Sequence, residues 1–260
     1  MRPLAGVIVA LGLVALGILW IETQVDEKRP EVARLPIQPN TAVSALPDFA
    51  AIADVREKKR AFFGFLRPTV EQVNLKINGQ RQFLLQLKQR LDQGLTISGP
   101  QAAKAERIAQ QYGYELRQIS SETLAPLLVR VDTIPVEMVL VQAANETGWG
   151  SSRFARDGLN FFGQWCFKAG CGLVPQGRDD GRNHEVAKFD TVEASVSSYL
   201  KNLNTNPAYQ DLRAIRSELR GARMEVTAAS LIPGLIRYSE RKEAYVDELL
   251  NMLETNRRYM

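Results

Sequence analysis

The residues that could do chemistry lie in one short stretch, Ala-Ala-Asn-Glu-Thr-Gly-Trp-Gly at 143–150. The segment before it, from Pro135 onward, reads as a helix, because proline is favoured in a first helical turn and Val136, Val139, Leu140 and Ala143 keep core-facing spacing. Glu146 then falls at the C-terminal end of that helix, where the macrodipole opposes a negative charge by about 0.3–1 kcal/mol. Its neighbours Ala143, Ala144, Gly148 and Trp149 bring no opposite charge and an apolar setting. Both conditions favour a glutamic acid that keeps its proton near neutral pH, as a general acid must. The small residues leave room for a polymer, and the indole of Trp149 suits the apolar face of a sugar ring. The same residues also fit a surface glutamate at a frayed helix end with Trp149 in the core.

The elements that must position this segment are mainly helical. Leu4 to Ile21 is an uncharged apolar run, preceded by Arg2 and followed by Glu22, Asp26 and Glu27. As a helix it spans about 27 Å, close to a bilayer's hydrocarbon thickness. Its flanking charges put the N-terminus in the cytoplasm and the rest outside. The following Ile-Glu-Thr-Gln-Val-Asp is a poor cleavage site, so 1–22 is expected to be an uncleaved signal anchor, with secretion after cleavage as the alternative. Residues 23–47 form a proline-rich tether. The region 48–114 is expected as a helical extension: one amphipathic helix stopping before Pro68, one over 81–91 reaching Gly94, and one from Ser98 to Gly113. A shorter helix covers 120–130. The segment 158–188 is loop-like, with a strand or hairpin at His-Glu-Val-Ala-Lys-Phe-Asp (184–190), and three amphipathic helices follow.

Cys166 and Cys171 are the only cysteines. A zinc site would need more ligands, and His184 is the only histidine; export favours a disulfide that pins a short loop. The net charge of +4 and pI of about 9.1 fit an anionic polymer as partner without choosing one. The chain has no dense Lys/Arg patch of the kind nucleic-acid binding needs, and no internal repeat.

The stretch from Ala143 to Ala155, followed by Asn-Phe-Phe-Gly-Gln-Trp at 160–165, resembles the glucosaminidase domain of glycoside hydrolase family 73 over about 115–258. An acid followed by Thr-Gly-Trp-Gly and then Asn-x-Phe-Gly is a specific pair of motifs. The resemblance implies a lysozyme-like, mainly α fold with a small β-hairpin lobe, and cleavage of β-1,4 bonds beside N-acetylglucosamine in peptidoglycan, with neither cofactor nor metal. It makes Glu146 the catalytic acid. It makes Glu185, 39 residues downstream in the suspected hairpin, the second carboxylate, with Asp179 and Asp180 as nearby alternatives. It makes Tyr238 the active-site tyrosine, and Trp149, Asn160, Phe162 and Trp165 candidates for the substrate groove. Phe161 and Phe162, being adjacent, also read as core plugs. The implied partners are peptidoglycan strands and, through the anchor, the bacterial inner membrane, with the catalytic domain in the periplasm. Direct attack by Glu185, an inverting water and the substrate's own acetamido group all remain open. A single-acid lytic transglycosylase and a non-catalytic wall-binding protein are the rival readings.

Overall fold

In the computed structural model of the chain, the described residues are 46–175 and 184–260. The expected membrane helix over 1–22, nearly all of the tether over 23–47, and Asp179 and Asp180 lie outside them. Among the described residues, no helix is long and apolar enough to cross a membrane.

Helix α1 runs unbroken from Val55 to Asp92, 38 residues, and its start is capped by the Asp54 carboxylate, which accepts from the Glu57 N–H at 2.7 Å. The expected stop before Pro68 and the separate helix over 81–91 are therefore corrected to a single helix. An internal proline costs about 3 kcal/mol in a helix. Against this, the same face buries Phe62, Phe63 and Leu66 before Pro68 and Val70, Val73 and Ile77 after it. Each such burial stabilises by roughly 1.5–3 kcal/mol, so the core decides. The carbonyl that the proline ring crowds belongs to Gly64, which is exposed and free of side-chain neighbours. The helix does end where Gly94, at φ 71°, was expected to end it.

The two halves of α1 serve two clusters. Leu84 and Leu87 pack with Ala105, Ile108 and Ala109 of α2 (Gly99–Gln111) and with Leu124, Leu127 and Leu128 of α3 (Ser121–Arg130). Both short helices begin at a serine, Ser98 and Ser120, whose side chain caps the third residue on. The first half of α1 joins the larger core with α4 (Val136–Thr147), α6 (Val192–Thr205), α7 (Gln210–Gly221), α8 (Ala228–Leu231) and α9 (Glu243–Asn256). A short α5 (Arg153–Gly158) follows α4.

Helix α4 is the centre of this core. Residues Met138 to Ala144 are all 0–1 % exposed, so the helix is covered on every side instead of presenting one apolar stripe. Its start is fixed by a buried charge cluster. Asp132, 2 % exposed, takes a forked pair of bonds from Arg220 at 3.2 and 3.0 Å and faces Arg81 and Arg216 at 3.4 and 3.7 Å. Arg216 donates to the carbonyls of Val129, Asp132 and Thr133, closing the end of α3 and the turn into α4. Burial lowers its pKa to about 10, and Asp132 opposes that shift.

The β-lobe is a three-stranded antiparallel sheet in the order β1 (Trp165–Cys166), β3 (Glu185–Ala187), β2 (Gly172–Leu173). The strand expected at 184–190 is its central member, and the Cys166–Cys171 disulfide ties β1 to the approach of β2. A mainly helical body with this small lobe fits a lysozyme-like domain.

Because Phe62, Phe63, Leu66 and Val70 complete the core around α4, a chain beginning at residue 115 is predicted not to unfold cooperatively. Phe62→Ala in the longer protein should cost roughly 3–5 kcal/mol. Chemical denaturation checks both. A stable, active 115–260 fragment would overturn this assignment of α1.

Candidate active site

The end of α4 is built by three successive residues with positive φ: Gly148 at 53°, Trp149 at 61° and Gly150 at 76°. Gly148 supplies the left-handed helix cap, and the Trp149 N–H reaches back to Ala144 O at 3.0 Å. Left-handed geometry at a bulky residue such as tryptophan costs about 1–2 kcal/mol, so something must hold Trp149 there. Its ring meets Phe63 at 5.2 Å and Phe62 at 6.0 Å between centroids, and the Lys59 ammonium lies 4.9 Å from its centre. Gly150 is packed so closely that a Cβ would come within 2.4 Å of the Phe49 ring. Thr147 locks the turn: its hydroxyl donates to Ala143 O at 2.6 Å and accepts from the Gly150 N–H at 2.8 Å. Each residue of Thr-Gly-Trp-Gly thus has a mechanical reason for its type.

Glu146 sits one turn back from this bend, half-buried. One carboxylate oxygen accepts from the Tyr245 hydroxyl at 2.8 Å. The other faces Gly163, where a Cβ would stand 3.5 Å away. Burial pushes the Glu146 pKa above the usual carboxylate range; the Tyr245 hydrogen bond and the Arg241 charge pull against it, and Glu248 adds to it. Desolvation is the largest cause of this upward shift.

Tyr245 was not singled out from the sequence. It accepts from the Gln142 amide at 3.0 Å while donating to Glu146, and the Tyr199 hydroxyl donates to the other end of that amide. Burial and the nearby Glu146 charge raise the Tyr245 pKa, so it stays a donor. Tyr238 does not bond to Glu146. Its hydroxyl donates to Phe162 O at 2.7 Å, and its ring stacks on Tyr245 at 5.5 Å, 8° from parallel. The spacing of Tyr238 and Tyr245 along the chain carried no signal of this stacking, because Tyr238 lies in the turns before α9 and Tyr245 within the helix.

The loop after α5 explains Asn-x-Phe-Gly in the same way. Asn160 is 1 % exposed: its amide donates to Gln164 O and Ala187 O, and its oxygen accepts from the N–H groups of Phe162 and Gln164. Phe162, 1 % exposed, stacks on Tyr199 at 3.9 Å. Both residues, expected on the groove wall, are buried, and their bonds and packing brace the loop that carries Gly163. Trp165 is 56 % exposed and stacks on His184 at 4.4 Å. Phe167, 76 % exposed, was not singled out from the sequence; an aromatic inside a loop closed by two cysteines five residues apart has little to pack against.

Glu185 lies in the β-lobe, 7 % exposed, and its carboxylate accepts from the N–H groups of Gly170 at 3.0 Å and Gly172 at 2.8 Å. It therefore clasps the disulfide loop. Among the described residues, Cys166, Cys171 and Glu185 bring potential ligand atoms within 4.8 Å, but two sulfurs joined in a disulfide are not thiolate ligands.

Residues 124–258 match the family described as Glucosaminidase: Mannosyl-glycoprotein endo-beta-N-acetylglucosaminidase. The chain is similar to protein bax of Escherichia coli strain K12, 36 % identical over 219 residues, covering 83 % of this chain and 76 % of that protein. No solved structure matches.

The Tyr245 hydroxyl stabilises the ionised form of Glu146, so removing it raises the Glu146 pKa further. If Glu146 must be protonated to act, activity falls as pH rises through that pKa. Tyr245→Phe should then move the alkaline limb of the kcat/KM profile to higher pH. A limb that stays in place or moves down would show that Glu146 does not set it.

Proposed function

The chain belongs to the glucosaminidase family of glycoside hydrolases, and from that premise we propose that it cuts the β-1,4 bond on the N-acetylglucosamine side of peptidoglycan strands, with Glu146 as general acid. The observation that carries this reading is the Glu146 carboxyl itself: half-buried, raised in pKa by desolvation, and hydrogen-bonded to a tyrosine that remains protonated. Glu146 gives its proton to the glycosidic oxygen while positive charge grows on the sugar ring. As it does so it becomes a carboxylate, and the Tyr245 hydrogen bond becomes charge-assisted and roughly twice as strong. Stabilisation that grows along the reaction coordinate lowers the barrier. Trp165 offers its exposed face to a sugar, and Trp149 rims the helix end. The apolar run at 4–21 and the disulfide support a membrane-anchored protein acting in the periplasm.

Two roles for Glu185 follow from different observations. Its place in the β-lobe, 39 residues after Glu146, supports a base or a carboxylate that stabilises positive charge. Its two backbone donors, Gly170 and Gly172, favour a positioning role in a single-acid reaction, with either the substrate's acetamido group or an internal hydroxyl as nucleophile.

Mass analysis of digested peptidoglycan tests the proposal. Glu146→Gln should lower turnover by at least about 10³-fold with the fold unchanged. N-acetylglucosamine reducing ends are expected; anhydromuramic ends would replace hydrolysis with transglycosylation, and substantial turnover by Glu146→Gln would remove the assignment. Azide added to Glu185→Ala distinguishes the roles: a small external anion can replace a missing base or nucleophile, whereas a loop that has lost both acceptors of its clasp, for Gly170 and Gly172, is not restored.

A further inference from the structure

Beside Trp149 lies a group of cations that the acid chemistry does not use. The Tyr259 ring is approached by Arg258 at 4.9 Å, Arg60 at 5.4 Å and Lys59 at 5.7 Å, and Lys59 also covers Trp149 at 4.9 Å. The group therefore runs from the C-terminal turn at Arg257–Tyr259, across the second turn of α1, to the residue three places after Glu146. Among the described residues, none of Lys59, Arg60 and Arg258 takes part in an ion pair; the carboxylate of Glu254 goes to Arg257, 3.5 Å away.

This placement is poor for stability. Arg56, Lys58, Lys59 and Arg60 crowd the first two turns of α1, with Asp54 at the cap and Glu57 in the first turn as the acids there, and the positive end of the helix dipole disfavours the cations of the first turn. Like charges drawn around one ring also repel, and the cation–π contacts oppose that repulsion. A solvated basic face would lower its energy by spreading out. An incoming anion relieves both costs.

We propose that Lys59, Arg60 and Arg258 bind the carboxylates of the peptide stems carried by the glycan strand, beside the bond cut at Glu146. This inference rests on the glycan-hydrolase reading and adds a substrate preference to it: peptide-bearing strands over bare ones. Peptide stems are the anionic substituents of the polymer, and they branch from the sugars that a strand lying along Trp149 would carry. The three cations supply charge complementarity at that position, and their aromatic supports hold them there without neutralising them.

The test uses the full chain with Glu146→Gln, so that binding is read without turnover. Co-sedimentation is measured over a salt series on intact sacculi and on amidase-stripped glycan strands coupled to beads, because loss of the peptide cross-links makes those strands soluble. Intact sacculi should bind more tightly, and salt should shrink the difference. Arg60→Gln with Arg258→Gln should weaken binding to intact sacculi roughly three- to thirty-fold and leave the stripped strands unchanged. Lysine at both positions should restore most of the loss. Equal binding to both glycans by the unaltered patch, or an equal loss on both from the glutamine variants, overturns the proposal. Turnover by the protein with Glu146 intact is scored separately: if it is absent while the binding preference persists, the hydrolase reading fails and the patch stands; if it is present without the preference, the patch fails alone.

Discussion

A carboxyl at the C-terminal end of a buried helix is pushed toward water by its own charge and by the helix dipole. Keeping Glu146 there requires that the chain turn away immediately and that the turn be pinned. The three left-handed residues Gly148, Trp149 and Gly150 make that turn, and Phe49, Phe62 and Phe63 pin it. Every other part of the site refers to this bend. Gly163 closes on Glu146 from the next loop, Asn160 braces that loop to the β-lobe, and Tyr238 ties it to the C-terminal region through Phe162 O.

The energetic logic is a division of labour. Desolvation raises the Glu146 pKa, and the Tyr245–Gln142–Tyr199 chain of hydrogen bonds limits how unfavourable the ionised state becomes. Burial favours the protonated carboxyl and the hydrogen bond favours the carboxylate, so the two oppose each other. The buried Asp132–Arg216 cluster fixes the other end of α4, so that the helix carrying Glu146 is held at both ends.

Local features were legible in the sequence where one residue type has one use. Glycine after a periodic apolar run marked the end of α4, the lone pair of cysteines marked the disulfide, and the acid among small residues marked Glu146. What the sequence hid depends on partners distant in the chain. Pro68 looks like a stop until Val70 and Val73 are seen buried beyond it. Phe49 and Phe62 look like an extension's own core until Gly150 is found against them, although the family match begins only at residue 124. Tyr245 reads as packing because a tyrosine's hydroxyl partner, here 99 residues away, leaves no local trace. Asn160 and Phe162 were placed on the groove because their motif is specific; their burial shows that specificity of a motif can come from bracing as much as from contact.

The β-lobe contrasts with this rigid centre. It has three short strands, a disulfide and a carboxylate clasp in place of an extensive core, and it holds Trp165 and Phe167 out to solvent. The exposed aromatic rings thus belong to the lobe, while Glu146 belongs to the helical body. Burial at the end of α4 raises the Glu146 pKa, and the acid chemistry proposed for it depends on that shift. Carbon-13 NMR titration of the glutamate side-chain carboxyls, with Glu146→Gln identifying the resonance, measures it directly. The account predicts a midpoint for Glu146 above the usual carboxylate range; a midpoint within or below that range would contradict it.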